Sequence, residues 1–209
     1  MELYNYFRSS ASYRVRIALA LKGLSYDYKA VHLAKGEQTA DSYTAMSATR
    51  LVPLLRDGDH VITQSLAIIE YLEETHPNPP LLPRTPAARA RVRALALAVA
   101  CEIHPLNNLR VLNYLTGPMG AGDEKKLAWY HHWIAEGLGA LEARLAAGID
   151  FAYSHDIESW DEMSVPLSFL LPAERAVLTG DTVLGRGTTV VAHPDGRLGA
   201  YLDSLDRLH

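Results

Sequence analysis

Several hydroxyl and cationic side chains lie close together near the N-terminus, where a helix is predicted to begin. The stretch YFRSSASYRVRIALALKG contains Arg8, Ser9, Ser10 and Ser12, followed by alternating basic and apolar residues. A helix N-terminus presents unpaired amides and a partial positive charge, so it favours an anion and lowers the pKa of a nearby thiol. Serine is also a common N-cap, and Ser10 is predicted to cap this helix. Because capping needs one hydroxyl, we predict that at least one serine here serves a ligand.

The composition is that of an ordinary globular protein with one large domain or two small ones. The 209 residues are 48% hydrophobic and 21% charged, with a formal net charge of −4. The mild acidity and the lack of a basic stripe argue against nucleic-acid binding. No apolar run approaches the roughly 20 residues that span a bilayer, and no signal-peptide pattern opens the sequence, so we expect a cytoplasmic protein. Cys101 is the single cysteine, which excludes intramolecular disulfides and cysteine-based zinc sites.

The first 80 residues alternate strand and helix patterns. Strands are predicted in ELYNY, SYDYKAV, LVPLLRD and HVIT, with Gly58-Asp59 as the turn between the last two. Helices are predicted from Ser10 to about Leu21 and over QSLAIIEYLEETH, where Ser65 is the expected N-cap. The outward-facing residues of the second helix are expected to be Glu70, Glu73 and Glu74. With a short helix between the second and third strands, the order is βαβαββα, that of a thioredoxin-like α/β domain.

A proline-rich stretch, PNPPLLPRTP, marks the boundary between two predicted domains. Thr85 and Pro86 are predicted to begin a long helix that Pro105 kinks and that ends near Leu115. A second helix is predicted over about 123–147. The predicted organisation is a domain over 1–80, an all-helical domain over 86–147 and an atypical tail over 148–209.

Several separated motifs resemble those of one enzyme family, in the right order. YFRSSASYRVRIALALKG, LVPLL, QSLAIIEYLEE and EIHPLNNLRVLNYL are similar to segments of the zeta class of glutathione transferases, especially bacterial maleylacetoacetate and maleylpyruvate isomerases. The resemblance covers roughly residues 1–147. It implies a thioredoxin-like glutathione-binding domain, an all-helical second domain, glutathione as cofactor, a small dicarboxylate substrate and a homodimer.

The resemblance also implies a role for the serine-rich stretch. Enzymes of this type add the glutathione sulfur to a cis double bond, permit rotation in the resulting enolate and expel the thiol to leave the trans isomer. Ser9 aligns with the serine that supports the thiolate, and Ser10 lies beside it. Ala11 stands where zeta enzymes usually carry cysteine, a departure shared with maleylpyruvate isomerases.

Other residues of the first domain resemble the family's glutathione contacts. Val52-Pro53 resembles a cis-proline turn whose Val52 backbone pairs with the cysteinyl part of the tripeptide. Gln64 and Ser65, at a helix start, resemble the pair that binds the γ-glutamyl carboxylate, and simple capping is the alternative for Ser65. Gln38 matches a further glutathione contact.

The dicarboxylate substrate implied by the resemblance calls for cations. Arg8 and Arg110 are the candidates, because a guanidinium pairs with a carboxylate through two hydrogen bonds. The polar residues before Arg110 that the family uses near the glutathione sulfur are His104, Asn107 and Asn108. The alternative is that these amides satisfy carbonyl groups freed by a helix kink. The residues given no site role are Arg14 and Arg16 in solvent or ion pairs, Cys101 in the core, and His131 and His132 on the surface.

The last third departs from the zeta pattern. Residues 168–208 instead resemble part of a metallo-β-lactamase hydrolase, with SFLLP and RAVLTGDTVL as a β-hairpin and GAYLDSLDRL as a helix. Asp181 matches a metal-bridging aspartate of that family, but Glu162 stands where a ligand histidine is expected, and no metal site is predicted. The alternatives are a glutathione-dependent isomerase, a glutathione-binding chimeric protein with little activity and, least favoured, a metallohydrolase.

Overall fold

A computed structural model describes residues 1–146, 176–177 and 191–192. The described chain contains two compact units, one formed by Met1–Pro83 and another that begins at Arg84. None of the described helices combines the length and the apolar character that a membrane crossing needs.

The first unit is built on a mixed four-stranded sheet. Its strands are β1 (Glu2–Asn5), β2 (Asp27–Ala30), β3 (Leu54–Asp57) and β4 (His60–Thr63). The spatial order is β2-β1-β3-β4, with β1 and β2 parallel and the other two pairs antiparallel. The predicted hairpin turn is confirmed, and Gly58 occupies it with a φ of +57°, which favours glycine.

Three helices complete the predicted βαβαββα order of this unit. They are α1 (Ser10–Leu21), α2 (Asp41–Thr44) and α3 (Ser65–Thr75). Two 3₁₀ turns, Leu33–Lys35 and Glu37–Thr39, lie between β2 and α2. The buried core cluster consists of Leu3, Val15, Ala18, Leu19, Leu55, Ile68, Ile69, Leu72 and Leu81. The apolar faces of α1 and α3 therefore share one core with β1 and β3.

Both long helices of this unit begin at a different cap residue from the one predicted. Ser9, not Ser10, caps α1, because its extended backbone lets Oγ accept a hydrogen bond from the Ser12 amide at 3.2 Å. Gln64, not Ser65, precedes α3, and its side chain makes no capping hydrogen bond.

Glu73 is buried, so the prediction that it faces outward is wrong. Its carboxylate accepts a hydrogen bond from Lys22 Nζ at 2.8 Å and from the amides of Leu81 and Leu82. Lys22 is equally buried and donates also to the carbonyl oxygen of Pro79 at 3.0 Å. The ion pair joins the end of α1 to α3 and holds the proline-rich stretch on the first unit.

The second unit begins with a helix that breaks where the sequence predicted a kink. α4 (Pro86–Leu97), capped by Thr85 as predicted, passes into a π-helical turn, Ala98–Ile103, and a 3₁₀ turn, His104–Leu106. α5 (Leu109–Thr116) then starts afresh, with Asn108 as its N-cap. Pro105 supplies no amide hydrogen and Asn108 favours a new helix start, so the chain forms two helices and not one bent helix.

α6 (Asp123–Ala146) matches the second predicted helix. It approaches the π-helical turn closely, since a Cβ on Gly137 would clash with Cγ1 of the buried Ile103. Cys101 is exposed, which corrects its predicted place in the core.

In the remaining part of the chain, strands β5 (Ala176–Val177) and β6 (Val191–Ala192) pair antiparallel. The predicted hairpin of SFLLP with RAVLTGDTVL and the final helix otherwise lie outside the described residues, as do Glu162 and Asp181.

Candidate functional site

The strand register brings four predicted site segments to one edge of the sheet. Asn5, the last residue of β1, lies beside Ala30, the last residue of β2. Leu54, the first residue of β3, lies between Tyr4 of β1 and Thr63 at the end of β4. We call the edge where β1, β2 and β4 end and β3 begins the site edge. The segments that leave the sheet there are residues 6–9, 31–38, 51–53 and 64–65.

Ser9 is the most accessible of the three serines at the start of α1. Ser9 is half-buried, whereas Ser10 and Ser12 are buried. The Ser9 Oγ accepts the Ser12 amide through a lone pair, which leaves its own proton to donate. Capping and thiolate binding are therefore compatible at Ser9, although the sequence presented them as alternatives. Arg8, one residue earlier, is exposed.

The turn before β3 has the predicted backbone form. The Val52–Pro53 peptide bond is cis. The preceding carbonyl, that of Leu51, accepts a hydrogen bond from Tyr43 Oη at 2.6 Å, and Tyr43 is itself 4% exposed. Among the described residues the Val52 amide and carbonyl make no hydrogen bond, so this short backbone segment is available to an extended peptide.

The start of α3 leaves its amides without a side-chain cap, unlike the starts of α1, α4 and α5. Side chains cap α1, α4 and α5, through Ser9, Thr85 and Asn108. Gln64 provides no such bond, and the first intrahelical hydrogen bond runs from the Ile68 amide to the Gln64 carbonyl. Unpaired amides at a helix N-terminus favour an anion.

Gln64 also has an unusual backbone conformation. Its φ of +71° lies in the left-handed region, which non-glycine residues seldom occupy. Backbone strain of this kind costs about 1–3 kcal/mol and is concentrated at functional sites. The conformation and the uncapped amides both favour a ligand site at Gln64 and Ser65.

Arg14 lies beneath this helix start, so of the two places predicted for it, solvent or an ion pair, the structure excludes solvent. It is 5% exposed, and its Nη1 donates a hydrogen bond to Ser65 Oγ at 2.9 Å. The guanidinium thus connects α1 with the first residue of α3. Arg16 is half-buried and donates to the carbonyl of Phe7 at 3.2 Å.

Gln38 lies in the second 3₁₀ turn of the segment that follows β2. The residue is half-buried, and its Oε1 is buried without a hydrogen-bond partner in the described part of the chain. A buried amide oxygen without a partner is costly, which is consistent with a ligand contact.

In the second unit, the polar turn after the π-helical segment is anchored to α6. Trp129 Nε1 donates to the carbonyl of Leu106 at 2.9 Å, and Asn107 Nδ2 donates to the carbonyl of Tyr130 at 3.3 Å. Asn108 Oδ1 accepts the Val111 amide at 3.2 Å as the N-cap of α5. The side-chain amide of Asn107 thus contacts α6. The side chain of Asn108 uses its oxygen for capping, so its two N–H groups can donate to another group.

Two other predicted residues of this unit differ in exposure. His104 is half-buried in the 3₁₀ turn, and Arg110 is exposed in the first turn of α5. Within the described residues Arg110 forms no ion pair, and a cation near a helix N-terminus opposes the helix dipole. The helix dipole therefore gives no reason for an arginine at this position.

Sequence reasoning missed three side chains that hold predicted site segments in place through hydrogen bonds. Arg14, Tyr43 and Trp129 each donate a hydrogen bond to a residue in or beside a predicted site segment. The alternation of basic and apolar residues around Arg14 placed it on the helix surface. A signal was nevertheless present, because Arg14 lies four residues before Ala18, which belongs to the buried apolar face of α1.

Comparisons with known proteins identify the class. The family described as "Glutathione S-transferase, N-terminal domain" matches residues 3–80. A bacterial maleyl pyruvate isomerase, described as a zeta-class glutathione S-transferase in its holo structure, is 51% identical, with a TM-score of 0.68 over 70% of this chain and 69% of its own. The chain belongs to the glutathione S-transferase family.

Two further relatives refine the assignment. A probable maleylacetoacetate isomerase of Vibrio cholerae is 52% identical over 145 residues, 68% of this chain and 67% of its own. The maleylacetoacetate isomerase of Anaeromyxobacter dehalogenans, solved with glutathione in its active site, is 32% identical and covers 95% of this chain and 97% of its own, with a TM-score of 0.61. The chain belongs to the zeta-class maleylacetoacetate isomerase family.

The comparisons do not support the predicted division of the chain between two families. The resemblance of residues 168–208 to a metallo-β-lactamase hydrolase, and the chimeric protein it implied, gain no support from these comparisons.

Proposed function

We propose that the protein catalyses the glutathione-dependent cis-trans isomerisation of a maleyl dicarboxylate, maleylpyruvate or maleylacetoacetate. The observation that carries this proposal is the site edge, where an accessible serine at one helix start lies on the same side of the sheet as an uncapped helix start. Family membership supports glutathione as the ligand of that edge.

Each part of the tripeptide has a chemically suitable partner at the site edge. The unpaired amides of α3, with Gln64 and Ser65, receive the γ-glutamyl carboxylate. The unpaired Val52 backbone pairs with the cysteinyl residue, and Gln38 offers a further polar contact. Ser9 donates a hydrogen bond to the sulfur, and with the positive end of α1 it stabilises the thiolate at neutral pH.

The reaction needs only the thiolate and two cationic contacts. The sulfur adds to one carbon of the cis double bond, and the electron pair moves into the adjacent carbonyl to give an enolate. The former carbon–carbon double bond is now a single bond, and rotation about it brings the two ends into the trans arrangement. Loss of the thiolate then restores the double bond and regenerates glutathione. Arg8 and Arg110 pair with the substrate carboxylates, and His104 and Asn108 offer polar contacts to glutathione and the substrate.

A direct test combines glutathione binding with an isomerisation assay on the full chain. Calorimetry measures the Kd for glutathione, and absorbance follows the conversion of maleylpyruvate and maleylacetoacetate. Ser9→Ala should raise the pKa of the bound thiol, read from thiolate absorbance, and lower kcat at pH 7. Ser25→Ala, an exposed serine before β2, is the control. An unchanged thiol pKa together with an unchanged kcat in Ser9→Ala would contradict the assigned role.

The substrate arginine is tested separately. Arg110→Ala removes a charge-assisted hydrogen bond, worth about 1.5–3 kcal/mol, and should raise KM for the maleyl substrate far more than Kd for glutathione. Arg84→Ala, another exposed arginine of the same unit, should change neither. Equal loss of both affinities would count against a substrate role for Arg110.

The family also suggests a homodimer, which we include in the proposal. Sedimentation equilibrium on the purified chain measures the mass directly, and a monomer at micromolar concentration would contradict it.

A further inference from the structure

We propose that Arg14 is a positioning residue that turns the Ser65 hydroxyl toward the γ-glutamyl carboxylate of glutathione. The inference rests on the proposed function, because it assigns a role within the same glutathione site. Arg14 does not itself contact the ligand. It acts through Ser65.

The geometry places a group that can only donate hydrogen bonds against a hydroxyl that can either donate or accept. Arg14 Nη1 lies 2.9 Å from Ser65 Oγ, and both residues are buried, at 5% and 6% exposure. A guanidinium has five N–H donors and no acceptor, so Ser65 can only accept from it. The hydroxyl proton must then point away from Arg14.

The direction left to that proton is the useful one for an anion. Ser65 is the first residue of α3, and its helix start leaves the first amides without a side-chain cap. A carboxylate that binds those amides accepts hydrogen bonds only, so it needs the Ser65 hydroxyl as a donor. Arg14 prepares that orientation before the ligand arrives and reduces the ordering cost of binding.

A purely structural role predicts a different outcome from a positioning role. If Arg14 only fills space between α1 and α3, its loss lowers stability and weakens all ligands equally. If it orients Ser65, the loss is confined to ligands that carry the γ-glutamyl α-carboxylate. The glutathione analogue 4-aminobutyryl-Cys-Gly lacks that carboxylate and separates the two cases.

The experiment measures Kd by calorimetry for glutathione and for this analogue on the full chain. Arg14→Gln is the main variant, because an amide both donates and accepts and so no longer fixes the hydroxyl. Its Kd for glutathione should rise about tenfold, equivalent to 1.4 kcal/mol, with little change for the analogue. Arg14→Lys keeps a donor-only cation and should restore most of the affinity. Arg14→Met replaces Arg14→Gln if that variant does not fold.

Two controls isolate the route through Ser65. In a Ser65→Ala background, Arg14→Gln should have no further effect on glutathione binding, because the hydroxyl is gone. Lys22→Met removes another buried cation of α1, at the opposite end of that helix, and should lower stability without changing either Kd.

The outcomes separate this inference from the proposed function. Wild-type protein that binds no glutathione overturns both. Wild-type binding with an equal loss of glutathione and analogue affinity in Arg14→Gln overturns the positioning role alone. Additive effects of Arg14→Gln and Ser65→Ala overturn it as well.

Discussion

Replacing Lys22 should destabilise the first unit more than replacement of any surface cation. Lys22 Nζ donates to Glu73 Oε2 at 2.8 Å and to the carbonyls of His76 and Pro79 at 2.7 and 3.0 Å, so all three of its donors are used. Lys22→Met leaves the buried Glu73 carboxylate without its cation. Removing one partner of a buried ion pair costs about 3–5 kcal/mol.

For a chain of this length, that loss corresponds to a fall in Tm of roughly 6–20 °C. Trp129 and Trp133 belong to the second unit, so their fluorescence is a poor reporter of unfolding in the first unit. Far-UV circular dichroism during urea and thermal unfolding is therefore the assay.

Two companion variants decide whether the reasoning is correct. Arg56→Met removes an exposed cation whose partner, Glu2, also pairs with Lys29, and it should cost much less stability than Lys22→Met. Lys22→Met combined with Glu73→Leu removes both buried charges and should recover part of the loss. A Lys22→Met variant as stable as Arg56→Met would refute the argument.

Three further predictions concern single side chains. Burial raises the pKa of Tyr43 to about 12. The protonated Tyr43 side chain therefore gives its full stabilisation below pH 10, and this stabilisation is lost as the pH rises to 12. The difference in unfolding free energy between wild type and Tyr43→Phe should shrink by about 2–3 kcal/mol over that range. Gly137→Ala should destabilise the protein by about 1–2 kcal/mol, because its new methyl group would meet Ile103. Gly139→Ala, which has nothing within 4 Å of the new Cβ, should stabilise it by up to about 1 kcal/mol. Urea titrations measure both changes, and stabilisation by both variants would contradict the close packing at Gly137. Trp129→Phe should cost about 1 kcal/mol of stability and raise KM for the maleyl substrate more than Kd for glutathione, and unchanged kinetics would remove the link between this anchor and the site.

Local pattern was sufficient for most elements of the fold. Strand alternation, the glycine turn and the proline-rich boundary each depend on neighbours in sequence, and the strands and helices of residues 1–75 follow them. The cis Val52–Pro53 bond came from the family motif, and the structure has it. The helix starts shifted by one residue because several adjacent polar residues could each serve as the cap.

The unpredicted burial of Arg14 and Glu73 has one physical cause, a partner distant in the sequence. Arg14 bonds to Ser65, and Lys22 pairs with Glu73, each across 51 residues of chain. Periodicity ranks a charged residue as exposed because an unpaired buried charge is costly. A single sequence does not reveal that the partner folds back to satisfy it.

The strand register also has a practical consequence at the far end of the sheet. β2 begins beside Glu2, where β1 begins, and the hairpin joins Asp57 to His60, so the turns at 23–26 and 58–59 lie opposite the site edge. Asp59 is exposed in such a turn and offers an attachment point for a fluorophore or a surface linker. Since Cys101 is the single cysteine and is exposed, Asp59→Cys with Cys101→Ser would give one labelling position that leaves the glutathione contacts unmodified.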